Sequence, residues 1–167
     1  MNLDEAIAVL EEECVNPCSV LPEKVFLLLT RLTPMINVDL LIKDDTGRTL
    51  LTWREDIYNG SGWHIPGGII RLKESYTERI AAVARLELGC EINHEESPTV
   101  INECIAKKKI NRGHCISLLF QCKLTSPPTE NLKYSGGKPK QGMFDFFNHA
   151  PKNLLKVHNM YRIFIDN

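Results

Sequence analysis

The chain has 167 residues, of which 43% are hydrophobic and 25% charged, and its formal net charge is -1; that is enough for one well-cored globular domain. The charge balance gives no broad electrostatic reason to expect nucleic acid as a partner, and no apolar run reaches the roughly 20 residues of a membrane span. The first residues, MNLDEAIAVLEEEC, are acidic and amphipathic, unlike a secretory signal, so a soluble, cytoplasmic protein is expected.

Residues 3–14 read as a helix, with Leu3, Ile7 and Leu10 at helical spacing. Residues 16–19 break it. A second helix opens at Leu21-Pro22-Glu23, where proline's missing N–H costs little, and Thr33-Pro34 ends it. Its run Val25–Leu29 is apolar nearly all round and is expected to be buried in the domain or against a second copy in a homodimer. Residues 1–34 are thus an N-terminal helical extension, and residues 35–167 the main domain.

Residues 35–43 and 48–54 are strand candidates around an Asp44-Asp45-Thr46-Gly47 turn, which predicts a hairpin. Residues 59–62 read as a loop, and Trp63-His64-Ile65 leads into a Pro66-Gly67-Gly68 turn. A helix follows over 75–88, ended by Gly89, a residue that accepts the left-handed conformation common at helix C-termini. Residues 93–98 read as polar loop, 99–106 and 114–124 as two strands joined by a tip, 125–140 as turn-rich, 143–147 as a last strand and 151–165 as helical. The order predicts a mixed sheet with helices on both faces, an α/β fold.

Two features point toward chemistry. On the helix over 75–88, Tyr76, Ile80, Val83 and Ala84 form one apolar stripe, and Glu87 falls inside it. A carboxylate on a buried face is costly unless paired or metal-bound; the alternative is a frayed last turn that reaches water. The six cysteines are less informative. Cys14 and Cys18 have no matching Cys/His pair at zinc-finger spacing, and the other four lie in apolar runs, where a thiol acts as a small hydrophobe.

Gly68, Glu74, Glu87 and Gly89 resemble the signature of the Nudix hydrolases: Gly, five residues, Glu, seven residues, then Arg-Glu-aliphatic-any-Glu-Glu-any-Gly-aliphatic. The Arg-Glu pair is replaced by Ala82-Val83 and the first Glu of the Glu-Glu pair by Leu86. This degeneracy is similar to the GDP-mannose mannosyl hydrolase branch, which keeps only the last helix carboxylate. The resemblance implies a Nudix-type α/β/α sandwich. It also implies a Mg²⁺-dependent (or Mn²⁺-dependent) hydrolase of a small nucleotide, a nucleoside diphosphate linked to another group such as a sugar. Hydrolysis of a different nucleotide, or a Nudix fold used only for binding, are its alternatives.

The resemblance further implies roles for named residues. Glu87, the Gly67 carbonyl and Gln141 would hold the metal. Asp39 and Arg54 would flank the substrate, Arg54 through the planar fork that suits phosphate oxygens. Glu74 would be structural, its usual arginine partner being Ala82 here, with Arg79, Arg71 or Lys73 as replacements. Ile69 stands where the branch has a substrate-binding arginine, a charge that Arg71 would restore from the same strand face. Gly142 stands where the branch has its histidine base. His64 and His114 are the better substitutes, ahead of His149 and His158. Trp53 and Trp63 are each read either as a stacking platform for a base or sugar or as core.

Overall fold

A computed structural model describes residues 2–166. Helix α1 (Leu3–Glu13) starts with a capping box: the Asn2 side chain accepts the Glu5 N–H at 2.8 Å, and the Glu5 carboxylate accepts the Asn2 N–H at 2.9 Å. Helix α2 (Glu23–Leu32) follows Pro22. Its apolar run is only partly enclosed by the chain itself. Among its residues only Thr30 is buried, and Leu32 is 71% exposed. The helix is instead tethered by polar contacts to the turn after residue 105, where Arg112 N–H donates to Thr30 Oγ1 and Arg31 to Asn111 Oδ1.

Among the described residues eight strands follow: β1 (Met35–Ile42), β2 (Thr49–Asp56), β3 (Gly60–His64), β4 (Gly67–Ile69), β5 (Ile92–His94), β6 (Val100–Ile105), β7 (His114–Leu124) and β8 (Phe144–Phe147). They form two sheets. The larger has the order β4-β1-β7, with β6 and β5 pairing successive stretches of β7 on its other edge; the smaller is β3-β2-β8. β1 and β7 run parallel and the remaining pairs antiparallel, so the large sheet is mixed. The expected β1–β2 hairpin forms only at its tip, as a Lys43–Thr49 bridge. Beyond it the strands diverge, because β1 is held by all eight of its residues to β7 while β2 joins the other sheet. β5 runs into the segment read as polar loop, and residues 60–62 open β3 where a loop was expected.

Alternation divides the large sheet's side chains between two cores. On one face Val38, Leu40, Ile42 and Phe120 meet Ile80, Val83 and Ala84 of helix α3 (Tyr76–Val83) and the turn that follows it. On the other, Leu41 and Leu119 meet Trp53, Trp63, Ile65, Tyr161 and Ile165. Each fully buried aliphatic there contributes about 1.5–3 kcal/mol relative to exposure. Tyr161 closes a 3₁₀ turn (Lys156–Tyr161) that runs into a short helix α4 (Arg162–Ile165), where one continuous helix was expected. The layering is the α/β arrangement the sequence predicts.

Candidate active site

Helix α3 does not remain an α-helix to its end. Residues Ala84–Leu88 widen into a π turn, closed where the Gly89 N–H reaches the Ala84 and Arg85 carbonyls with Gly89 in the left-handed region at φ +65°. Such bulges re-aim side chains and recur at functional sites. Here Ala84 and Leu88 stay in the core, Leu86 is 80% exposed, and Glu87 turns to the sheet edge with a quarter of its side chain exposed.

Glu87 meets groups from three strands. Thr52 and Arg54 share a face of β2, two residues apart. Thr52 Oγ1 donates to Glu87 Oε2 at 3.3 Å, and Arg54 Nη2 stands 3.6 Å from Oε1. His64, opposite Thr52 on β3, has Nε2 at 3.8 Å from Oε2. From β4, the Gly67 N–H faces the carboxylate and helps to hold its charged form. Ladder geometry explains that orientation. Leu40 N–H donates to the Pro66 carbonyl and Ile70 N–H to the Ile36 carbonyl, so the alternate residue Gly67 points both its N–H and its C=O away from β1. Glycine is required there: a Cβ would run into the Asp39 carboxylate and come within 2.7 Å of the Val38 carbonyl.

Burial pushes the Glu87 carboxyl up to about 7; the Arg54 charge, the Thr52 hydroxyl and the Gly67 N–H oppose this, and the Asp39 charge adds to it. Burial, then Arg54 and His158, holds His64 well below the usual imidazole range. His64 is therefore neutral, and with Nδ1–H donating to the Thr52 carbonyl at 2.8 Å its Nε2 carries the lone pair. His158, also lowered by burial, accepts the Ile65 N–H on Nδ1. Behind Gly67, the buried Asp39 accepts the Tyr161 hydroxyl at 2.6 Å.

Gln141 is brought in by the loop before β8, which is clamped on β2 by Gly142 N–H to the Trp53 carbonyl and Trp53 N–H to the Met143 carbonyl. Its Oε1 accepts the Glu55 N–H at 2.5 Å. Thr52, Arg54, His64, Leu86, Glu87 and Gln141 line a cleft of about 240 Å³. That is below the size of drug-like ligand pockets and suited to a phosphate group and an ion, with the rest of a ligand outside.

Other expected site residues lie elsewhere. Arg71 borders the apolar hollow under α1 and α2. His114, at the first residue of β7, faces Glu103 at 3.5 Å, outside the cleft. Trp63 is core, edge-on to Trp53 and Tyr134 and tilted against Phe147. Glu74 binds Arg79 through Nε and Nη2, both at 2.8 Å, and accepts the Arg71 N–H; Arg79 thus fills the place of the lost arginine. Gly68 passes under α3, where a Cβ would meet Val83 at 2.9 Å. Sequence reasoning missed Thr52 and Tyr161. Thr52 had a signal, sharing a strand face with Arg54; Tyr161 had none.

Among the described residues, no three His, Cys, Asp or Glu side chains converge as a metal cage. The cleft offers instead one desolvated carboxylate and the Gln141 amide oxygen, whose second lone pair is open; the outward Gly67 carbonyl lies on the strand edge that faces Glu87. That donor set fits a hard divalent ion completed by phosphate oxygens and water.

No protein-family model matches the chain. It is 30% identical over 80 residues to the low-salt glycan biosynthesis protein Agl8 of Haloferax volcanii, a match spanning 48% of this chain and 51% of that protein, about half its length. Among solved structures it is similar to a MutT Nudix hydrolase from Burkholderia pseudomallei (TM-score 0.60, 19% identity, 80% of this chain and 97% of the other). It is also similar to a UDP-X diphosphatase (TM-score 0.58, 22% identity, 96% of this chain and 77% of the other). With its mixed sheet between α3 and the C-terminal elements, the chain has the Nudix fold.

Proposed function

We propose that this protein is a divalent-metal-dependent hydrolase of a nucleoside diphosphate linked to another moiety. The observation that carries the reading is the placement of Glu87: a half-buried carboxylate set by a π turn against the free edge of Gly67 and beside Arg54. Glu87, the Gly67 carbonyl and Gln141 would hold Mg²⁺. Bound there, the ion supplies positive charge against phosphate oxygens and orients the diphosphate. Arg54 offers a second, fixed positive charge to the leaving phosphate. His64 Nε2, neutral and 3.8 Å from Glu87, is placed to accept a proton from water at the inner end of the cleft. Leu86 and the buried Trp53 supply apolar surface to the cleft wall.

Likeness to a UDP-X diphosphatase over nearly the whole chain supports a nucleoside diphosphate joined to a second group. A nucleotide sugar such as GDP-mannose is the finer form of the proposal, and a homodimer burying exposed Leu29 and Leu32 belongs to it. A screen of nucleotide sugars, nucleoside triphosphates and other diphosphate derivatives with Mg²⁺ and Mn²⁺, with Glu87→Gln as control, tests the reading; release of a nucleotide that needs both metal and Glu87 is expected. Products formed in ¹⁸O water distinguish attack at carbon from attack at phosphorus. One observation favours a second reading, nucleotide binding without turnover: Leu86 occupies a cleft position where the resembling signature has a carboxylate. Ligand-dependent thermal stabilisation with no product from any substrate would select it.

A further inference from the structure

Arg71, expected beside the substrate, stands instead at the apolar hollow that α1 and α2 form with the end of β4. The hollow has a volume of about 610 Å³, inside the range of ligand pockets, about 300–1,000 Å³. Ile7 and Leu10 of α1, Val25 and Leu28 of α2, and Ile69 and Ile70 at the end of β4 line it. Each helix turns its apolar stripe inward, and β4 ends in two isoleucines. The chain does not fill the space between them: no residue of α1 is buried, and α2 buries only Thr30. Apolar side chains that converge on an unfilled hollow favour an apolar occupant.

Two charged residues line the hollow, Glu11 and Arg71. Glu11 is exposed. Arg71 is partly withdrawn from water, and among the described residues its guanidinium has no hydrogen-bond or ion-pair partner. Its neighbour Glu74 is already bound by two Arg79 nitrogens at 2.8 Å. Burial and then the Arg79 charge act against the Arg71 cation, with only Glu74 in its favour. An under-compensated cation at the edge of an apolar hollow favours an anion joined to an apolar chain. Helix α1 limits the charge of that anion. Asp4, Glu5, Glu11, Glu12 and Glu13 make the helix acidic, which disfavours a dianionic phosphate or an anionic bilayer. A carboxylate carries one charge and meets the guanidinium fork with two oxygens.

We propose that the hollow binds one long-chain fatty carboxylate, its alkyl chain between α1, α2 and the two isoleucines and its carboxylate on the Arg71 guanidinium. The site is separate from the Glu87 cleft and does not rest on the hydrolase reading. The exposed Leu29 and Leu32 stand at its rim, so a second copy resting on them would roof the ligand.

Calorimetric titration of the delipidated full-length protein with tetradecanoate, below its micelle concentration and without nucleotide or metal, tests the proposal. One ligand per chain is expected. Dodecanoate should bind about tenfold more weakly, because two fewer methylenes are buried. Tetradecanol, with the same chain and no charge, should also bind about tenfold more weakly. Arg71→Gln should bring tetradecanoate down to the affinity of the alcohol and leave the alcohol unchanged, a pattern that loss of folding would not give. Ile7→Glu, at an exposed position, should weaken both. The proposal is overturned by no binding, by tetradecanol binding as tightly as tetradecanoate, or by tetradecyl phosphate binding more tightly. Binding only to phosphatidylserine vesicles, or only as a dimer dissociates on dilution, would make a bilayer or a second copy the occupant and overturn it as well.

Discussion

At the front of helix α3, Glu74 is tightly paired through Oε2. Arg79 reaches it with two nitrogens at 2.8 Å, the Arg71 N–H adds a third bond at 2.8 Å, and both side chains are nearly enclosed. At the rear, Glu87 is comparably withdrawn from water, but its nearest cation is 3.6 Å away and its hydroxyl donor 3.3 Å. Burial outweighs these contacts and lifts the carboxyl to about 7. A carboxylate held this closely by a cation of its own chain gains less from a ligand, whereas an under-compensated one favours an added cation. Spacing in the sequence placed both residues, but the reach of their partners separates a structural acid from a candidate ligand-binding one.

The comparison breaks most decisively at Glu87. Glu87→Gln should lower kcat/KM by about 10³-fold if the carboxylate binds the ion that stabilises the transition state. It should do so without loss of stability. Glu87 has its folded pKa raised from 4.5 to about 7, so between those values the folded chain binds more protons than the unfolded one. Its contribution to stability is therefore fully present below about pH 4.5 and is lost as pH rises through about 7. Glutamine removes that slope, and at pH 8 thermal melts should place the variant level with wild type or above it, by on the order of 2 kcal/mol at most. A variant that is both inactive and markedly unstable would make Glu87 a second Glu74.

Glu74→Gln should show the reverse pattern. It leaves the Arg79 guanidinium, 12% exposed, facing a neutral amide, and loss of one partner from an enclosed pair costs about 3 kcal/mol. Denaturant titration should show that loss, while kcat/KM per folded molecule stays within about threefold of wild type. A fall matching that of Glu87→Gln would put Glu74 in the chemistry.

The wild-type protein offers a gentler measurement. Because Glu87 titrates near about 7, Mg²⁺ or Mn²⁺ must displace a proton to bind at low pH. Affinity for the ion, measured by calorimetry, should rise up to about tenfold from pH 6 to pH 8 and flatten above. In Glu87→Gln the rise should vanish. A flat wild-type profile would show that the ion is held elsewhere.

How much of this was legible in the sequence follows the range of the forces involved. Glu87 stood out because a charge in an apolar stripe is a local contradiction, visible in a dozen residues. Gly67, Gly68 and Gly89 were legible because close approach and positive φ leave few alternatives to glycine. The π turn was not, since a helical wheel assumes 100° per residue and the i→i+5 bonds form only when the chain end is caught. Nor was the fate of β1: the Asp44–Gly47 turn argues for a hairpin, but pairing with β7, eighty residues away, decides the sheet. Arg79 as the partner of Glu74 was one of three open choices, settled by the side chain that lies one turn into helix α3 and reaches back past its N-cap.

Gly89→Ala asks whether the π turn itself, or the contacts beyond it, hold Glu87 in place. Its φ of +65° disfavours a side chain, and the new Cβ would press on Thr129 Oγ1. The strain should cost about 1 kcal/mol, a fall in Tm of about 2–4 °C for a chain of this size. Glu87 also meets Thr52 and Arg54 on β2, so kcat/KM should change by less than about threefold. If activity instead falls as far as in Glu87→Gln while the Tm shift stays small, the bulge and not the sheet edge fixes the carboxylate. The distinction between the two ends of α3 would then rest on how the helix closes rather than on what its last glutamate touches.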